Sequence, residues 1–309
     1  TKVVVFGRKK YAPRQPRTWL YAGHPIPTAS EFRYLGIVLH STKGCGPAVA
    51  HQRAAALRAM GALQGRCHAL GVVDFALRTR LFRALIEPLL TYGAEIWAPD
   101  LMSSLQAALC SPPQVLQNAF IRRFAGLRGC TPALVLCAES GLPPLPASWM
   151  RACARLWNRA TGLGEASSGH ALLECTLRAD ISLAARLPPA DAHRTWAGAL
   201  NRSLAALAAG DGGDPRATAA VAAFWPRARA AAATRGELPP LPRATEVLAA
   251  ATQRRWRAAP ADPTREGGGV RTYYRKHFQL RGDEFPPESA FPPTMPWYFR
   301  HTSRFPDLS

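Results

Sequence analysis

No two aspartates are adjacent in this sequence, and no Cys-x-x-Cys, Gly-x-x-x-x-Gly-Lys-[Ser/Thr], Gly-x-Ser-x-Gly or His-Glu-x-x-His occurs. A two-metal phosphoryl-transfer site needs convergent carboxylates to hold cations roughly 3.5–4 Å apart, and the nine aspartates stand singly along the chain. Asp211 and Asp214 are the nearest pair, but Gly-Asp-Gly-Gly-Asp-Pro reads as a solvated turn. The eight histidines are dispersed. Seven cysteines are too few and too scattered for a disulfide scaffold, and no Cys/His cluster has zinc-ligand spacing. Reduced thiols are therefore expected, in the nucleus or the cytoplasm. No catalytic residue, metal site or cofactor is assigned within this chain.

A long apolar run is also missing. The longest uncharged stretch, 101–121, contains Pro112-Pro113 and several Ser, Gln and Asn, whose polar groups are costly in lipid. No apolar secretion core follows the basic residues near the start, so no signal peptide and no membrane association are expected. Beginning with Thr rather than Met, the chain reads as a fragment.

Lysine is scarce, with five against 34 arginines, and acidic residues are few: 39 Lys+Arg face 20 Asp+Glu, a net charge of +19. Arginine preference over lysine also follows from GC-rich coding, but the sign of the charge points to a polyanionic partner. Residues 1–130 carry 17 basic and 5 acidic side chains, a net +12. The search for a nucleic-acid surface therefore belongs there. With 309 residues and 48% hydrophobic composition, the chain can bury a sizeable core and has room for about two domains.

Periodicity predicts an α+β chain, mostly α. Residues 1–40 read as a short antiparallel meander of three strand-like runs, Lys-Val-Val-Val-Phe, Thr-Trp-Leu-Tyr-Ala-Gly and Phe-Arg-Tyr-Leu-Gly-Ile-Val-Leu. In the last run Phe32, Tyr34 and Gly36 fall on one side and Arg33 and Leu35 on the other. A glycine within a strand marks close approach of another backbone. Residues 41–130 read as a basic helical bundle. Its first helix follows Gly46-Pro47 and presents Leu57, Met60, Leu63, Cys67 and Leu70 inward, with His51, Arg58 and Arg66 opposite.

The second helix is capped by Asp74, with a Leu77, Leu81, Leu85, Leu89 stripe. Arg80, Arg83 and Glu87 lie off that stripe; Arg83 and Glu87 are spaced for an ion pair, and Pro88 ends or kinks the helix. A third helix around residues 117–129 turns Phe120, Phe124 and Leu127 inward and ends near Gly129. Of its adjacent Arg122 and Arg123, at most one can face the core. Residues 131–259 read as an Ala-rich series of helices broken at prolines and glycines, without a solenoid repeat. Residues 260–309, rich in Pro and aromatics, read as an irregular tail.

The order Thr-Lys-Val-Val-Val-Phe, then Phe32-x-Tyr34-Leu35-Gly36, then an Arg-rich helical stretch holding Tyr92-Gly93-x-x-x-Trp97, resembles the reverse transcriptases of non-LTR (LINE-type) retrotransposons. The likeness covers residues 1 to about 160. It implies that residues 1–6 end the palm and that Phe32, Tyr34, Leu35 and Gly36 form the primer grip. Tyr92, Gly93 and Trp97 then belong to the thumb, and Arg58, Arg66, Arg80, Arg83, Arg122 and Arg123 to a surface for nucleic-acid backbone. It further implies RNA and DNA as template–primer partners, and a palm and fingers upstream whose aspartates hold Mg²⁺. The fragment alone would then be inactive. The C-terminal Cys/His knuckle common in such proteins is absent here. Two other readings stay open: a stand-alone, non-catalytic helical nucleic-acid-binding protein, and a structural protein whose basicity reflects codon usage. For single residues, Trp97 is open between core anchor and base-stacking platform, and Tyr34 between a buried strand face and a stacking surface.

Overall fold

The computed structural model describes residues 2–6, 18–162, 170–208 and 215–241. It is mostly helical, with short antiparallel strands only at the N-terminal end of the described residues. β1 (Trp19–Tyr21) pairs with β2 (His24–Ile26), and β3 (Glu31–Tyr34) pairs with β4 (Ile37–His40). The run from Phe32 to Leu39 thus reverses instead of continuing as one strand. Leu35 and Gly36 both take positive φ, 46° and 85°, the signature of a two-residue type I′ hairpin turn. Leu35 and Gly36 consequently sit at a hairpin tip, not on strand faces. The N-terminal Val-rich run adds no strand: Val3 makes one parallel bridge to Thr28, with Val3 N–H donating to the Pro27 carbonyl at 3.1 Å. Pro27 has no N–H with which to extend a ladder.

The helices are α1 (Gly46–Ala69), α2 (Phe75–Leu85), α3 (Glu87–Thr91), α4 (Ala94–Leu101), α5 (Leu105–Leu109), α6 (Pro112–Phe124), α7 (Ala133–Ser140), α8 (Leu145–Ala160), α9 (His170–Arg186), α10 (Trp196–Ala208) and α11 (Pro215–Thr234). Local signals explain most boundaries. Asp74 caps α2, accepting from Ala76 N–H at 2.6 Å and Leu77 N–H at 3.3 Å. Pro88 lies in the first turn of α3, after α2 has ended at Leu85. Proline also opens α1 and α6 and precedes α8. α6 stops at Gly126 (φ 64°), three residues earlier than the expected Gly129.

The buried faces differ in part from the expected ones. α1 buries Val49, Gln52, Ala56, Met60, Leu63 and Cys67, but Leu57 is half exposed and Leu70, beyond the helix end, is solvent-exposed. α2 carries two apolar stripes. Phe75, Thr79 and Phe82, followed by Ile86, face the core, while Leu77 and Leu85 remain exposed and Leu81 and Leu89 pack at its edge. The aromatic stripe removes more apolar area from water and so takes the interior. Phe82 then meets Phe120, whose ring meets Phe124, at centroid separations of 4.3 and 4.5 Å. The expected Arg83–Glu87 pair is drawn to other partners: Arg83 donates to the Gly141 carbonyl at 2.7 Å, and Glu87 accepts from Ser148 Oγ at 3.2 Å.

One apolar core runs from Val49 to Leu238, across residue 130. Four tryptophans place the indole N–H on a backbone carbonyl: Trp97 on Tyr92, Trp149 on Leu90, Trp157 on Pro239 and Trp196 on Glu95, at 2.7–3.2 Å. A buried indole left without an acceptor would carry a desolvation cost, so these bonds also select which helix ends meet. Trp97 meets Trp149 edge-on at 5.2 Å, joining α4 to α8. Among the described residues no helix is long and apolar enough to cross a membrane. The expected tail, 260–309, lies outside the described residues, as do Asp211 and Asp214.

Candidate nucleic-acid interface

The two motifs read separately in the sequence meet in space. The corner between α3 and α4 is made by Tyr92 and Gly93, the latter in left-handed conformation (φ 67°). One turn later Trp97, 1% exposed, donates to the Tyr92 carbonyl at 3.0 Å. The Tyr92 hydroxyl donates to the Leu35 carbonyl, and its ring lies where a Cβ on Gly36 would stand 3.2 Å from Cε1. The buried Gln52 of α1 donates to the Gly36 carbonyl at 3.5 Å. Gly93 in turn receives Ile37, whose Cδ1 lies 2.7 Å from the position of an added Cβ. Both tip carbonyls and the first residue of β4 are thereby seated on the helical body. Gln52 and Ile37 carry no sequence signal for this role, because their partners are distant in the chain.

Strand β3 of the same hairpin is exposed along its length. Phe32, Tyr34 and Leu35 are 39%, 59% and 72% exposed, and Arg33 is exposed beside them. An exposed aromatic pair at period two, next to a cation, suits stacking and phosphate contact. Trp97, by contrast, is a core residue and presents no stacking face to solvent.

The expected arginines divide by what they touch. Arg58 and Arg66 on α1, Arg80 on α2 and Arg123 on α6 are exposed. Arg83 is exposed too, with its guanidinium on Gly141. Arg122 is half-buried, donating from Nη2 to the Thr131 carbonyl at 2.8 Å, and so supports the loop after α6. Arg78, which belongs to no motif in the sequence, donates to the carbonyls of Val72 and Phe124 and lies over the Phe124 ring.

A cleft of about 380 Å³ opens beyond the hairpin, lined by Lys43, Cys45, Arg53, Asp100, Leu101 and Pro112 among others. Burial, reinforced by the Asp100 carboxylate, pushes the Cys45 thiol up to about 11. Burial raises the Asp100 carboxyl as well, against the opposing pull of Arg202, a hydrogen bond from Cys45, and His193. A thiol so raised stays protonated near neutrality and is a poor nucleophile. Among the described residues no three His, Cys, Asp or Glu side chains converge to hold a metal ion. No protein-family model, curated protein or solved structure matches the chain.

Proposed function

We propose that this chain is the primer-holding part of an RNA-directed DNA polymerase of the non-LTR retrotransposon type, and that it binds template–primer without carrying out the chemistry. The observation that supports this reading is the seating of the Phe32-x-Tyr34-Leu35-Gly36 tip on the Tyr92-Gly93-x-x-x-Trp97 corner. In the proposal the β3–β4 hairpin grips the primer, and Arg58, Arg66, Arg80 and Arg123 neutralise phosphates. Such a partner places the protein in the nucleus or the cytoplasm. Among the described residues no three carboxylate, His or Cys side chains converge to hold Mg²⁺. In the proposal, phosphoryl transfer belongs to a palm of the parent polymerase.

The test is binding to primed RNA followed by fluorescence anisotropy between about 50 and 200 mM salt. Replacing Arg58, Arg66, Arg80 and Arg123 together by Gln should weaken binding and lower the salt slope by about 0.9 for each phosphate no longer neutralised. Binding that ignores both salt and these arginines would discard the proposal. Fusing an intact palm upstream should restore Mg²⁺-dependent extension. Binding with no extension in the fusion would favour a stand-alone, non-catalytic nucleic-acid-binding protein.

A further inference from the structure

The two hairpins form an internal comparison. Each turns through a non-glycine and a glycine at positive φ: Ala22 (50°) and Gly23 (78°) in the first, Leu35 (46°) and Gly36 (85°) in the second. At the first tip, an atom added to Gly23 would meet nothing within 4 Å. At the second, the Tyr92 ring stands against Gly36, and both turn carbonyls accept from the helical body. Such a turn therefore forms here with nothing packed against its glycine among the described residues. What Tyr92 contributes is the turn's place.

We propose that Tyr92 is a positioning residue for nucleic-acid contact: its hydroxyl on the Leu35 carbonyl and its ring on Gly36 hold the β3–β4 tip at one orientation on the helices. The identity of the ligand rests on the function proposed above, while the holding of the tip does not. β3 is exposed along its whole length and β4 is only half-buried. A two-stranded hairpin by itself is marginal in water. Contacts at its tip are thus a large share of what keeps it from swinging. Tyr92 is in turn held by the Trp97 indole, so a chain of contacts leads from the core to the tip. At the tip Leu35 keeps a left-handed backbone and extends its side chain into solvent. Asn or Gly would suit that turn position better, and the fold gains little packing from the leucine. A strained residue displaying an apolar side chain suits contact with a ligand, provided that its direction is set.

The experiment uses the whole chain, with Tyr92→Phe keeping the ring and removing the hydroxyl. Hydrogen exchange of residues 31–40 should accelerate by roughly threefold to tenfold, the effect of one net hydrogen bond, while α8 and α10 stay unchanged. Affinity for primed RNA should fall by a similar factor, through faster dissociation. A second variant, Leu35→Asn, relaxes the turn. If Tyr92 only kept a strained turn closed, Leu35→Asn would cancel the faster exchange caused by Tyr92→Phe; positioning requires that the double variant still exchange faster over residues 31–40 than Leu35→Asn alone. Unchanged exchange in Tyr92→Phe overturns the holding of the tip, and accelerated exchange with unchanged affinity overturns its part in binding. A wild-type chain that binds no nucleic acid overturns the function and the residue's part in it together, whereas binding that Tyr92→Phe leaves intact overturns only the latter.

Discussion

The indole N–H of Trp97 donates to the carbonyl oxygen of Tyr92 at 3.0 Å, across the corner made by Gly93. This bond makes Trp97 both a core ring and the support of an exposed tyrosine. Trp97→Phe should keep most of the packing against Trp149 and lose the bond, at a cost of about 1 kcal/mol or somewhat more. Trp97→Ala should cost roughly 3–5 kcal/mol. Urea denaturation measures both, and near-equal stabilities for the two variants would show that the ring packs less than its burial implies.

Gly93→Ala places a methyl group 2.7 Å from Ile37 Cδ1 at a φ of 67°. Gly23→Ala meets open space at a φ of 78°. The left-handed backbone alone costs roughly 1–2 kcal/mol in each case. Gly93→Ala should therefore destabilise somewhat more than Gly23→Ala in thermal melts, because the Ile37 δ-methyl must also turn away from the added group. Equal losses would mean that β4 is not anchored at Gly93.

Asp180 accepts from the Ala197 N–H at 2.7 Å, at the start of α10. Burial raises its carboxyl above the ordinary carboxylate range, partly opposed by the N–H groups of Ala197 and Trp196. The unfolded chain releases this proton at lower pH than the folded one. Between the ordinary and the raised value the folded state holds more protons, so stability falls as pH rises through that window. Asp180→Asn keeps an acceptor for Ala197 and cannot ionise, so it should remove part of that fall; Asp100, raised in the same direction, supplies another part. Denaturation midpoints of the two proteins across the acidic range should diverge, and parallel curves would refute the assignment.

The seven cysteines should differ sharply towards iodoacetamide at neutral pH. Cys110, Cys130 and Cys175 are exposed. Burial pushes the Cys137 and Cys153 thiols up to about 12, and burial with Asp100 pushes Cys45 up to about 11. The thiolate is the reacting form, so mass spectrometry should find the three exposed residues labelled first. Early labelling of Cys137 or Cys153 would show that the core opens readily around α7 or α8.

Local chemistry was readable from residue order. Asp74 announces a helix start, and Pro88 and Pro143-Pro144 announce breaks, because capping, a missing N–H and a locked φ act within a few residues. The start of α6 at Pro112, five residues before the expected 117, was not legible. The sequence of antiparallel strands followed by helices comes from the same short-range rules. So does the candidate site's inventory: an aromatic pair at period two, a Tyr-Gly-x-x-x-Trp corner and a surplus of arginine. Periodicity went further only where a helix has one apolar face, as with Met60, Leu63 and Cys67, or Phe120 and Phe124.

Tertiary structure decided the rest. On α2 two apolar stripes satisfy the same helical repeat, and the aromatic one, with Phe82 against Phe120 of α6, takes the interior and leaves Leu77 and Leu85 in solvent. Arg122 and Arg123 are equivalent by composition, yet a carbonyl on the next loop captures one and leaves the other free to water. The union of Leu35 with Tyr92 depends on a contact between residues far apart in the chain, whose closure is set by the packing of α1, α3 and α4 and not by any local preference.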